Sequence, residues 1–251
     1  VDLYLRRPGK PGDPPERAID FFRSKGLEPS FDFRDVWQDE HNRAFTAAGA
    51  MERDLLEALR DEVDRALAEG TTFERFKDEL KPRLERMGWW GEREIEDPKT
   101  GRKRKVDFGS PHRLKTIYFH NMRSARAVGQ WQRVQTTKET LPFLVYQLGP
   151  AERHRDLHIQ WDGTTLPADD PWWLDHMPPN GWNCHCHVRQ LGNREVERRG
   201  GPTPRPPRRE VEMINPRTGR KVKVDEGLDP QWAFNPGTHR LNALSGEIEK
   251  I

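Results

Sequence analysis

From about residue 34 to 68, apolar and aromatic side chains return every three or four positions, and that period predicts an amphipathic helix or a close pair of helices. The stripe is Trp37, His41, Phe45, Ala48, Met51, Leu55, Leu59, Val63 and Leu67, with Glu, Arg and Asp filling much of the remainder. Gly70 ends it. Thr71-x-x-Glu74 has the form of a capping box that would satisfy free N–H groups of a second helix over about 72–88, so the pair reads as a helical hairpin. Upstream, ERAIDFFRSKG predicts a short helix stopped by Gly26, and the opening LRRPGKPGDPP predicts an extended arm. Ser110-Pro111 is a strong helix start, with Ser as N-cap and Pro in the first turn. Leu114, Ile117, Tyr118, Met122, Ala125, Val128 and Trp131 then keep helical spacing to about residue 135.

Between these helices the period changes. EIEDPKTGRKRKVDFG holds two short extended runs around Pro98-Lys99-Thr100-Gly101, as a hairpin with a Gly-containing turn would. VEMINPRTGRKVKVDEG, from Val211 to Gly227, echoes it almost residue for residue. Leu141-Pro-Phe-Leu-Val-Tyr-Gln is rich in strand formers. PTPRPPRRE (202–210) reads as a stiff linker, and the segment from Asp229 to the end reads as a docking peptide. The expected class is α+β: a mainly α-helical N-terminal domain with a small loop-rich α+β Cys/His domain and a β-hairpin tail. The boundaries are an arm over 1–15, helices over about 16–136 with a hairpin insertion at about 92–108, a Cys/His domain over about 137–200, and a linker, hairpin and docking tail over 201–251.

Composition narrows the class. A third of the 251 residues are charged and the formal net charge is +2, so much of the surface is solvated or covered by partners. No apolar run of membrane-spanning length and no secretory leader is visible, so the sequence reads as an intracellular soluble protein without membrane attachment. Charge is uneven: from Arg189 to Lys223 eleven Lys and Arg face four Asp and Glu. Arg205, Arg208, Arg209, Arg220 and Lys221 are therefore candidates for contact with nucleic acid or an acidic partner, beside the simpler reading of a solvated basic linker.

The chemistry concentrates in residues 150–191, which hold both cysteines, five of nine histidines and four of nine tryptophans. Cys184 and Cys186 stand one residue apart, a spacing that makes a poor structural disulfide and suits reduced thiols. With His158 they offer soft and borderline ligands fitting one structural zinc ion, with His187, His154 or His176 as the fourth. His154 and His158 would share a helix face and the two cysteines a strand face. Metal binding would brace a segment too rich in Pro, Asp and Asn to hold itself by packing. The plainer alternative makes the cysteines small buried hydrophobes and the histidines hydrogen-bonded. A catalytic assignment is weaker, because Arg155 stands where a zinc peptidase helix carries Glu beside its first His. Trp172, Trp173 and Trp182 read as a small aromatic core.

Several motifs together resemble the Mu F-like minor head proteins of tailed bacteriophages. They are Arg155-x-x-His158-x-x-x-Asp162-Gly163, Asp169-Asp170-Pro171-Trp172, Pro178-Pro-Asn-Gly-Trp-Asn-Cys184-x-Cys186 and Phe234-Asn-Pro-Gly237. The helical half contributes Ala18-Ile-x-Phe-Phe-x-x-Lys25, Glu40-His-x-x-Ala44-Phe45, Gly88-Trp-Trp-Gly91 and Arg113-Leu-x-x-Ile117-Tyr118. One departure is His185, where the family usually has Arg between the cysteines. The resemblance implies a non-enzymatic virion component acting in head assembly near the portal, with the portal protein, a major capsid or scaffolding protein and packaged DNA as partners. Two rivals are a metal-dependent nuclease or toxin-like enzyme centred on His158 and the C-x-C segment, and a DNA-binding module.

Overall fold

The structure is a computed structural model that describes residues 16–37, 40–97 and 101–238. The expected arm over 1–15, the tip of the first hairpin at 98–100 and the final part of the docking segment, 239–251, lie outside the described residues. Along the chain come α1 (Glu16–Arg23), β1 (Gly26–Leu27), α2 (Glu40–Arg43), β2 (Ala44–Phe45), α3 (Arg53–Glu69) and α4 (Phe73–Arg86). Then follow β3 (Glu92–Glu96), β4 (Lys103–Asp107), α5 (Pro111–Thr137), β5 (Phe143–Gln147), α6 (Asp156–Trp161) and β6 (Thr165–Pro167). The last are α7 (Trp173–His176), β7 (His187–Leu191), α8 (Asn193–Arg198), β8 (Glu210–Ile214) and β9 (Lys221–Asp225). The class is α+β. Among the described residues no helix is long and apolar enough to cross a membrane.

The chain forms two compact units, one of residues up to 33 with 44–129, the other of 34–43 with the residues from 130 onward. In the first, α3 buries Leu55, Leu56, Leu59, Val63, Ala66 and Leu67, positions three and four apart that make one face. That face packs in a core with Phe21 and Phe22 of α1, Phe76, Leu80 and Leu84 of α4, and Leu114, Met122 and Ala125 of α5. Gly70 ends α3 at φ 68°, the left-handed conformation that glycine reaches without strain. The N-cap of α4 is Thr72, whose side chain accepts from the Arg75 N–H at 3.4 Å, one position later than the expected capping box. Thr71 instead gives its carbonyl to the Tyr118 hydroxyl. Ser110 caps α5 as expected, accepting from the Arg113 N–H at 3.3 Å.

The long helical stripe over 34–68 is broken. Only α2 and α3 are helical there, β2 pairs in parallel with β1, and Gly49 turns the chain at φ 77°. The stripe mixes residues of both units, and its member Met51 is 49% exposed. Trp37 and His41 lie in the segment assigned to the second unit, whereas Phe45, Leu55 and Leu59 fill the first.

Both hairpins form, and their registers correspond: Glu92 faces Asp107 and Glu96 faces Lys103 in one, Glu210 faces Asp225 and Ile214 faces Lys221 in the other. Their turns close alike. Gly101 N–H donates to the Asp97 carbonyl and Gly219 N–H to that of Asn215, each at 2.8 Å.

The second unit is built on an antiparallel sheet of order β6-β5-β7. Its core gathers Trp161, Trp172, Trp173, Tyr146, Leu144, Leu166 and Met177 with both cysteines, so the tryptophans at 172 and 173 are core as read from the sequence. The described part of the presumed tail belongs to this unit. Asn235 is fully buried and donates to the Trp173 carbonyl at 3.0 Å. The hairpin turn and the residues after it also hold the 34–43 segment. Asn215 donates to the Arg34 carbonyl at 2.8 Å, Gln231 to that of Val36 at 3.1 Å, and Arg217 pairs with Asp35 at 2.5 Å.

Candidate metal centre

Two pieces of chain deliver the candidate ligands. The first is α6, one and a half turns long, which carries His158 on its buried face with Trp161. It ends at the Asp162-Gly163 turn, where Gly163 takes φ 82° and the Asp162 carboxylate accepts from the Leu148 N–H at 2.9 Å. The second is the loop from Pro178 to Cys186, which runs into β7. Its shape is set by small residues. Asn183 adopts φ 59°, a conformation Asn tolerates far better than branched residues. A Cβ at Gly181 would stand 2.9 Å from the Arg155 guanidinium and 3.1 Å from Asp229. Arg155 spans this gap to donate to the Trp182 carbonyl at 3.0 Å.

The result is a buried triad. His158 Nδ1 lies 3.8 Å from Cys184 Sγ and 3.5 Å from Cys186 Sγ, and the three atoms all fall within 4.8 Å of one another. His158, Cys184 and Cys186 are 2, 3 and 7% exposed. The other ring nitrogen, Nε2, sits 3.1 Å from the Gly227 carbonyl. A carbonyl only accepts, so Nε2 carries a proton and Nδ1 is the nitrogen turned to the sulfurs, a lone pair for a metal once it holds no proton of its own. This is the tautomer a metal-ligating histidine needs, fixed by the kind of main-chain partner such histidines use. Tetrahedral zinc, with bonds of about 2.3 Å to sulfur and about 2.0–2.1 Å to nitrogen, spaces N and S by about 3.6 Å. The two observed distances bracket that value.

Electrostatics favour one thiolate first. The bond from Cys186 lowers the Cys184 thiol well below its usual range, with His158 and the Asn180 backbone N–H adding to the effect against burial. The same bond and burial push Cys186 up. Tyr146, raised by burial and by the nearby sulfurs, donates its hydroxyl to Asn180 Oδ1 at 3.0 Å. The Asn180 amide nitrogen beside it is buried without a hydrogen-bond partner among the described residues.

The other expected ligands fall elsewhere. His187 is the first residue of β7 and half-buried, while Cys186 and Val188 on either side of it are buried. Side chains alternate across a strand, so its ring points away from the sulfurs and is absent from the triad. His154 precedes the N-cap Arg155 of α6 and so does not share a helix face with His158. The cysteines lie just before β7 rather than in it. His176 belongs to a different cluster, with Asp175 and Asp225, and burial with the nearby Arg208 charge holds its pKa down to about 3. Each of the five basic candidates is engaged by a carboxylate: Arg205 by Asp170, Arg208 by Asp175 and Asp225, Arg209 by Glu226, Arg220 by Glu40 and Lys221 by Glu212. Gly227 and Asn180 carried no side-chain signal for metal chemistry. A glycine ending the echoed hairpin was the one sequence trace of the first.

An α+β chain whose second unit closes over a buried His/Cys/Cys cluster is the class defined here. The chain belongs to the Phage Mu protein F like family, whose model matches residues 57–189. It is 34% identical over 253 residues to the putative capsid assembly protein F of Escherichia phage Mu, an alignment covering 95% of this chain and 57% of that protein. It is 30% identical over 230 residues to the Mu-like prophage FluMu F protein of Haemophilus influenzae, covering 85% of this chain and 54% of the relative. The chain thus spans a little over half the length of these curated relatives. No solved structure matches it.

Proposed function

We propose that this chain is a non-enzymatic structural component of a phage head, in which His158, Cys184 and Cys186 hold one zinc ion that braces the second unit. Family membership supports a role in head morphogenesis. The convergence of His158 Nδ1 on two sulfurs, with Nε2 held by a main-chain carbonyl, carries the metal reading. Burial of all three ligands supports a brace over a nuclease centre, since no substrate reaches atoms that solvent barely touches. Zinc there would add folding free energy to the packing that already holds the loop in the core. The protein acts during assembly in the host cytoplasm and stays in the virion near the portal vertex, touching portal and capsid or scaffolding proteins. Contact with packaged DNA has less support, because the basic candidates are already paired with carboxylates. Electron micrographs of particles assembled with and without the protein test the role: defective heads are expected, and normal infectious heads would refute it. Elemental analysis of the purified chain tests the metal, with bound zinc expected and one zinc per chain fewer in His158→Ala.

A further inference from the structure

A second cluster in the same unit shows the preparation seen around His158. His176 Nδ1 lies 3.1 Å from the Trp172 carbonyl, so this nitrogen carries the proton and Nε2 is left as a lone pair. That lone pair faces Asp225 Oδ2 at 3.6 Å. Two acceptors turned toward each other repel unless a positive species lies between or beside them. Arg208 relieves only part of this, bonding Oδ2 of Asp225 and Oδ2 of Asp175. Asp225 Oδ1 is buried without a hydrogen-bond partner among the described residues, on a side chain 2% exposed. Arg208 divides its charge between the buried Asp225 and the partly exposed Asp175, so the buried carboxylate is incompletely matched, an arrangement that disfavours burial unless a cation completes it.

We propose that Asp175, His176 and Asp225 form a second metal site, for a divalent first-row ion taken by one nitrogen and two oxygens. The donor set is harder than the thiolate pair and selects zinc, cobalt or manganese over the softest ions. Arg208 acts as the outer partner that orients both carboxylates, and the Trp172 carbonyl fixes the imidazole, the two roles that outer groups play around bound metals. Entry runs along Asp175, whose side chain is 36% exposed. The proposal does not depend on zinc at His158.

Cobalt(II) titration of the reduced, metal-stripped full chain tests it, with bound metal counted by elemental analysis. Two cobalt ions per chain are expected. The double variant Cys184→Ser/Cys186→Ser should keep one and lose the sulfur-to-cobalt charge-transfer absorption, whereas Asp225→Asn should lose one and keep that absorption. Asp175→Asn, altering a partly exposed group, should weaken the second ion at least tenfold without relying on the core to tolerate a change. Stoichiometry limited to the thiolate-bound ion, or a second ion indifferent to both Asp175→Asn and Asp225→Asn, overturns the proposal. A single ion without charge transfer, lost in Asp225→Asn, upholds it and removes the zinc reading at His158 instead.

Discussion

His158 donates through Nε2 to the main-chain oxygen of Gly227, 69 residues further along the chain, at 3.1 Å. Gly227 takes φ 95°, and a Cβ there would stand 2.9 Å from Leu157 and from the Trp161 ring. Gly227→Ala should therefore cost about 2–4 kcal/mol through strain and overpacking. It should also weaken zinc about tenfold by displacing the imidazole's outer partner. Urea unfolding and competition with a chromogenic chelator measure the two effects, and an unchanged zinc affinity would mean the carbonyl does not orient the ligand.

Chelation should act on stability mainly where the triad is intact. At a free zinc concentration of about a hundred times Kd, binding stabilises the fold by about 2.7 kcal/mol. A chelator should lower the Tm of the wild-type chain, and the variant Cys184→Ser should start lower and shift much less. Equal shifts in both would place the responsive metal elsewhere.

Lys25 links stability to pH in the first unit. It is 6% exposed, and burial lowers its pKa from 10.5 to about 7. Below about pH 7 the lysine is charged in both states, so the folded chain bears the full desolvation penalty. Between about 7 and 10.5 the unfolded chain binds more protons, so stability rises with pH. Lys25→Met should flatten this rise and stabilise the chain near pH 6.5 by up to about 4 kcal/mol. Urea unfolding of both proteins at pH 6.5 and 9.5 decides it, and parallel profiles would exclude Lys25 as the source.

Asn183 sets the direction from which Cys184 enters the cluster. With its backbone at φ 59°, Asn183→Gly should leave stability within about 0.5 kcal/mol, whereas Asn183→Val should lose about 2 kcal/mol. Thermal unfolding separates them, and equal losses would point to the amide side chain rather than the backbone.

Arg208 and Arg209 are neighbours with unlike duties. Arg208 neutralises Asp225, whose side chain is 2% exposed, while Arg209 is itself 77% exposed opposite Glu226. Arg208→Ala should cost about 3–5 kcal/mol by stranding a buried charge, and Arg209→Ala no more than about 0.5 kcal/mol. Similar small losses in chemical denaturation would show that solvent reaches Asp225.

Local chemistry was legible in the sequence where it acts over a few residues. Ser110 and Pro111 announce α5, the paired P-[KR]-T-G turns announce both hairpins, and His158 with the two cysteines announces the triad. Thr71 fits capping-box spacing to Glu74, yet the cap is Thr72, while the Thr71 carbonyl accepts from the Tyr118 hydroxyl, a long-range contact that spacing does not record. The break at 44–52 was hidden because helical spacing records burial, not which core does the burying. Gly227 was invisible as a partner of His158, since a carbonyl belongs to every residue and only folding says whose is near.

The seat of residues 34–43 has a consequence for the order of events on the ribosome. Arg34, Asp35 and Val36 are gripped by Asn215, Arg217 and Gln231, roughly 180–195 residues downstream. At synthesis rates of about 5–20 residues per second, this stretch waits on the order of ten seconds or more before its clasp exists. The nascent chain must hold an early segment open while the helices around it are already able to collapse. Closure is then a late event with a large loop to shut, which makes the newborn protein most vulnerable to proteases at the very segment that is later among its best anchored.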